Sequence, residues 1–188
     1  MKHFYFDSLA YSGLQPFKYR WLEKIETHRS SNRLNDVFDE FVARYIVFSA
    51  AVGVLKPERD KHKLDKEYCT NKVSAFISDK ADWLVNELSD DACRLGNVIE
   101  NEHLSIVSSS GKDPKLLNKW GTAKNSVKLK ALLETIYYMR CNLFHGSKEF
   151  NHCQEPLLEA ANACLKIITQ AFIEQLDTEF ERRYMSGR

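Results

Sequence analysis

The chain has 188 residues, the length of one domain or of one domain with a modest addition. Hydrophobic residues make up 44% and charged residues 28%, enough apolar material for a real core. A net charge of +1 excludes a global field that would draw the chain to nucleic acid or membrane, so any polyanion site has to be a local patch.

Seven glycines and four prolines are few punctuation marks, and helical spacing of apolar residues dominates over strand-like alternation. The first helix is expected after Pro16, over 17–28, followed by the capping-rich break SSNRLND. A long helix is expected over 34–55, with the seam Leu34, Phe38, Phe41, Tyr45, Phe48, Val52, Leu55 stepping by four and three. Lys56-Pro57 ends it, because the residue before proline is pushed out of the helical region. Residues 56–67 carry dense charge of both signs and read as a solvated connector. One helix is expected over 69–88 and a shorter one over 90–101, with Ser89 as its cap. SSSGKDP (108–114) reads as a loop. The next helix runs over 123–145 and stops at Gly146, and the last begins at Pro156, a favoured first-turn residue, and runs to about 183. The long helices at 34–55, 69–88, 123–145 and 156–183 predict an all-α antiparallel bundle of four core helices, with short additional N-terminal and connecting helices.

Cys69, Cys93, Cys141, Cys153 and Cys164 are an odd set with no CxxC pair, which reads as reduced thiols of a cytoplasmic protein rather than a disulfide framework or zinc site. MKHFYFDSLA lacks the basic flank and long apolar run of a signal peptide. The longest charge-free apolar segment, 45–55, is about half the roughly 20 residues needed to span a bilayer. No membrane association is expected.

One residue breaks the pattern. In the helix ending YYMRCNLFHG, Leu129, Leu132, Leu133, Ile136, Leu143 and Phe144 share one arc, and Arg140 falls near its middle. A guanidinium in a dry core costs several kcal/mol unless it is paired. Either an acid such as Asp39, Glu40 or Glu134 meets it, or the stripe opens onto a cleft or a subunit interface. His145 stands five residues on, directly before Gly146, the usual helix terminator. One reading makes it a surface cap. The other makes it a proton donor or acceptor, since the negative end of the helix dipole favours the charged imidazole.

Arg140-Cys-Asn-Leu-Phe-His145 matches the R-x4-6-H signature of HEPN domains (higher eukaryotes and prokaryotes nucleotide-binding). The surrounding YYMRCNLFHGSKEF resembles the prokaryotic members, and FDEFVARYIVFSAAVGVL resembles their early helix. The resemblance implies a HEPN-type bundle over residues 31–188, with 1–30 as an N-terminal helical extension packed on the same domain. It implies a homodimer in which two copies of the motif face one cleft and cleave single-stranded or loop RNA without a metal ion or other cofactor. Arg140 and His145 would be the catalytic pair. Cys141 stands where members often carry a polar residue, and Asn142, next along, is the candidate for that supporting role. Ser147 stands where some toxin members carry a tyrosine that a nucleotidyltransferase partner modifies. The biological role implied is a toxin or antiphage effector, with an antitoxin or nucleotidyltransferase protein as possible partner. The alternative is a non-catalytic helical dimer that binds a protein or a nucleotide.

The residues suit that chemistry. An arginine fork binds two phosphate oxygens at once and does not deprotonate. A histidine titrates near neutrality and suits acid or base work. The lysines at 112, 115, 119, 124, 128 and 130 lead into the motif helix. Lys124 and Lys128 are candidate contacts to RNA phosphates, with a solvated helix face as the competing reading.

Overall fold

A computed structural model of the chain describes residues 4–27, 33–60, 65–102, 113–144 and 154–185. The first helix, α1 (Ser8–Thr27), begins well before Pro16. Asp7 explains the early start. Its carboxylate accepts the backbone N–H groups of Leu9 and Ala10, each at 3.0 Å, and so caps the free donors of the first turn. Its own N–H donates to the Val54 carbonyl at 2.8 Å, which pins the start of α1 to the end of α2 (Arg33–Val54). Pro16 therefore lies inside α1 instead of opening it, at the cost of one helical hydrogen bond.

The expected helix over 69–88 is not continuous. A π-helical turn at Glu67–Lys72 leads into a short α3 (Val73–Phe76), a 3-10 turn at Ser78–Lys80, and α4 (Ala81–Glu87). The wide turn buries Tyr68, Cys69 and Thr70. The helix α5 (Ser89–Asn101) follows, without a side-chain cap. The lysine-rich stretch holds a helix that the spacing did not predict, α6 (Leu116–Thr122), whose Leu116 and Trp120 are buried. Its start is unusual: Lys115 has φ 52°, and Asp113 accepts its N–H at 2.8 Å. The motif helix is α7 (Asn125–Phe144). The last is α8 (Glu155–Tyr184), with proline in its first turn and Arg182 and Arg183 in its last, where cations offset the dipole.

Among the described residues the fold is all-helical. The core is centred on α8, whose Leu158, Ala161, Leu165, Ile168, Phe172 and Leu176 are fully buried between α2 and α5. Ala161 in that stripe leaves room for a neighbouring helix to approach, and aromatic rings fill space further along. Phe172 meets Phe48 of α2 and Phe76 of α3 with ring centroids 6.1 and 5.8 Å apart. The helix α7 packs against α4, α6 and the π-helical turn, and that turn also touches α2. The N-terminal segment is tied to the body by further contacts with α3 and α8. Tyr11 stacks on Phe180 at 4.6 Å, Phe4 meets Phe76 edge-on at 5.2 Å, and the Arg183 guanidinium donates to the Phe4 carbonyl at 2.9 Å. No helix among the described residues is long and apolar enough to cross a membrane.

Candidate functional site

The apolar arc of α7 does what its spacing requires. Leu129, Leu132, Leu133 and Ile136 are buried, and Leu143 packs half-buried against the core. Arg140 sits on the same helix, half-buried, with its guanidinium carbon 5.7 Å from the centroid of the Tyr45 ring on α2. Burial opposes its charge. A hydrogen bond with Cys141 and the nearby Tyr45 and Tyr137 phenols outweigh that, so its pKa stands above the ordinary arginine value. The charge is therefore permanent across any working pH.

Of the three carboxylates named as partners for Arg140, two are engaged with other cations and the third is exposed. Glu40 binds Arg44 on its own helix at 2.6 Å. Glu134 faces Lys66 at 4.0 Å and Lys119 at 3.9 Å. Asp39 is exposed. Beside Arg140 stands a group of phenols and thiols. The Tyr45 hydroxyl donates to the Cys69 sulfur at 3.6 Å, which fixes the ring beneath the guanidinium. Burial pushes the Cys69 thiol up to about 11 and raises the Tyr45 phenol well beyond its usual range. Burial and the neighbouring Cys141 hold Tyr137 up at about 12. All three stay protonated and neutral beside the charged arginine, and the Lys56–Asp65 ion pair also acts on this cluster.

His145, five positions after Arg140, lies outside the described residues, as do Gly146, Ser147 and Cys153. Asn142 is described and half-buried in the last turn of α7. The structure does not bring Lys124 or Lys128 to the arginine. Lys124 precedes α7, and Lys128 is twelve residues before Arg140, about 18 Å along the axis at 1.5 Å per residue. The lysines nearer the motif are Lys66 and Lys119, which share Glu134. Lys66 also meets the Tyr138 hydroxyl, and its ammonium lies 4.8 Å from that ring's centroid. One carboxylate between two ammonium groups leaves a surplus positive charge about 9 Å along α7 from Arg140. Lys66 falls in the charge-dense stretch read as a connector, and nothing in that stretch singles it out. Tyr45 falls in the α2 seam, where only its burial was legible.

No protein-family model, curated protein or solved structure matches the chain. The site is thus defined by its own chemistry. Among the described residues, no three of His, Cys, Asp and Glu are grouped to hold a metal ion, and Cys69, Cys93, Cys141 and Cys164 are free thiols.

Proposed function

We propose that this chain is an endoribonuclease of the HEPN type, acting as a homodimer on single-stranded or loop RNA through Arg140 and His145. The observation that carries this reading is the half-buried Arg140 at the end of α7, backed by an aromatic ring and by neutral thiol and phenol groups, in R-x4-H spacing with His145. A cation on an otherwise apolar stripe suits an anionic guest at a cleft between two copies.

RNA carries its own nucleophile, the 2′-hydroxyl. One histidine accepts its proton as the 2′-oxygen bonds to phosphorus. The bond from phosphorus to the 5′-oxygen breaks, and that oxygen takes a proton from the second histidine, contributed by the other copy. The products are a 2′,3′-cyclic phosphate and a free 5′-hydroxyl. Arg140 binds the non-bridging oxygens and offsets the charge that grows on them. Asn142 supports the motif from the last helical turn. Lys66 and Lys119, with their surplus charge, suit the flanking phosphates better than Lys124 and Lys128 do.

The test is incubation of end-labelled RNA with the protein in EDTA. Wild type is expected to leave 2′,3′-cyclic phosphate ends. His145→Ala and Arg140→Ala are expected to lose at least a hundredfold in rate while keeping the wild-type circular dichroism. Cleavage that persists in folded His145→Ala, or its absence from folded wild-type dimer, overturns the proposal. In a cell the reading implies a cytoplasmic toxin or antiphage effector held in check by a partner protein. Growth arrest on induction of wild type, relieved by Arg140→Ala, is the corresponding expectation.

A further inference from the structure

A second site lies on another face of α2, independent of the ribonuclease reading. Val47 is two residues from Tyr45, about 200° round the helix at 100° per residue, so it looks away from Arg140. There α1, α2, α4 and α8 enclose a cavity of about 470 Å³, a size ordinary for a small-molecule pocket. Its wall is largely apolar: Leu22, Ile25, Val47, Leu165, Ile173 and the half-exposed Trp83.

Two features of the wall point to a particular guest. The first is Thr169. The other helical threonines whose side chains are described, Thr70, Thr122, Thr135 and Thr178, return their hydroxyls to the carbonyl four residues back at 2.8 or 2.9 Å. Thr169 does not. It is 8% exposed and lines the cavity, and its hydroxyl oxygen has no hydrogen-bond partner and is closed to solvent in this rotamer. A buried polar atom left unpaired costs about 1–3 kcal/mol, so a partner for it is worth supplying. The second is charge. Lys18, Arg44 and Lys166 rim the cavity against a single acid, Glu87. Glu40 already takes Arg44, so the surplus rests on Lys18 and Lys166.

We infer that this cavity binds a small amphipathic anion, an acyl carboxylate with its tail along the apolar wall and its head between Lys18 and Lys166. The Thr169 hydroxyl, turned into the cavity by rotation about χ1, donates to the carboxylate. The larger cavity next door, about 800 Å³, shares Ile25, Arg44 and Lys166 with this one, but its charges are mixed: Asp36, Asp39, Glu40 and Glu159 stand beside the cations. An anionic head is thereby directed to the Thr169 side.

The experiment is isothermal titration of the full chain with decanoate, 1-decanol and decylamine, which share a tail and differ in the head. Decanoate is expected to bind saturably at one site per chain, with decylamine at least tenfold weaker. The surface pair Lys18→Gln/Lys166→Gln, which does not touch the core, should weaken decanoate about tenfold and leave decanol unchanged. Thr169→Val should do the same, by the loss of one hydrogen bond to a charged group. Three outcomes overturn the inference: no saturable heat with decanoate, equal affinity for all three heads, or decanoate binding that neither set of substitutions alters.

Discussion

The contact between Arg140 and Tyr45 can be isolated by a double-mutant cycle of Tyr45→Leu and Arg140→Met, since methionine keeps length and apolar bulk but discards the charge. A guanidinium over an aromatic face contributes about 0.5–1 kcal/mol at an exposed site and about 2 when desolvated. Here the cation is half-buried, and its 5.7 Å separation is near the outer limit of about 6 Å for such a contact, so about 1 kcal/mol is expected. Tyr45→Leu alone also loses packing in the core and the contact with the Cys69 sulfur. The cycle cancels those terms, because they are equally absent with either residue at 140. The assay is urea unfolding of the four proteins at one fixed chain concentration, so that any dimer linkage is held constant. The coupling corresponds to about 2–4 °C in melting temperature for a chain of this size. Tyr45→Phe, which keeps the ring, should preserve the coupling. If the two substitutions add to within about 0.3 kcal/mol, the ring does not hold the guanidinium and the account of the site is wrong.

Three further outcomes follow from features away from the motif. Cys69 and Tyr137 stay protonated up to about 11 and 12 in the fold, against ordinary values of 9 and 10, so the unfolded chain gives up those protons first. Their contribution to stability is whole below about pH 9 and is lost as pH rises through 11 and 12; Cys69→Ala should flatten the first part of that decline, and an unchanged slope would show that this thiol is not its source. Asn162→Leu removes a 3.0 Å bond to the Val37 carbonyl but also a buried side-chain oxygen with no partner, so stability should hold level or rise in thermal melts; a fall beyond about 1 kcal/mol refutes this. Lys115→Gly relieves a left-handed backbone carrying a side chain and should stabilise by up to about 1 kcal/mol, whereas a destabilised variant would show that the lysine side chain matters more than its φ.

The parts of the fold that were legible in the sequence are those governed by long, regular apolar spacing. The seams of α2, α7 and α8 announce themselves because each buries one stripe over five or more turns. What stayed hidden is local. Asp7 moved the start of α1 upstream of Pro16, because a cap that satisfies two backbone donors outweighs one bond lost to an internal proline. The break within 67–80 escaped notice because Tyr68, Cys69, Val73, Phe76 and Ile77 fit a regular helix nearly as well as the wider turn that forms. The seven residues of α6 were masked by their lysines, although Leu116 and Trp120 at spacing four carried the signal. At the candidate site, Arg140 stood out as a charge among apolar neighbours. Tyr45 and Lys66 did not, because their roles come from elements that meet only in three dimensions.

The π-helical turn at Glu67–Lys72 has an implication for how this chain tolerates change in length. Such a turn holds one residue more than its hydrogen-bonded neighbours need. Excising one residue there lets the turn tighten into ordinary helix without rotating what lies on either side. The same excision in the middle of α7 would swing every later residue by about 100° and carry Arg140 off its ring. A lineage that trims or adds a single codon has this place to absorb it.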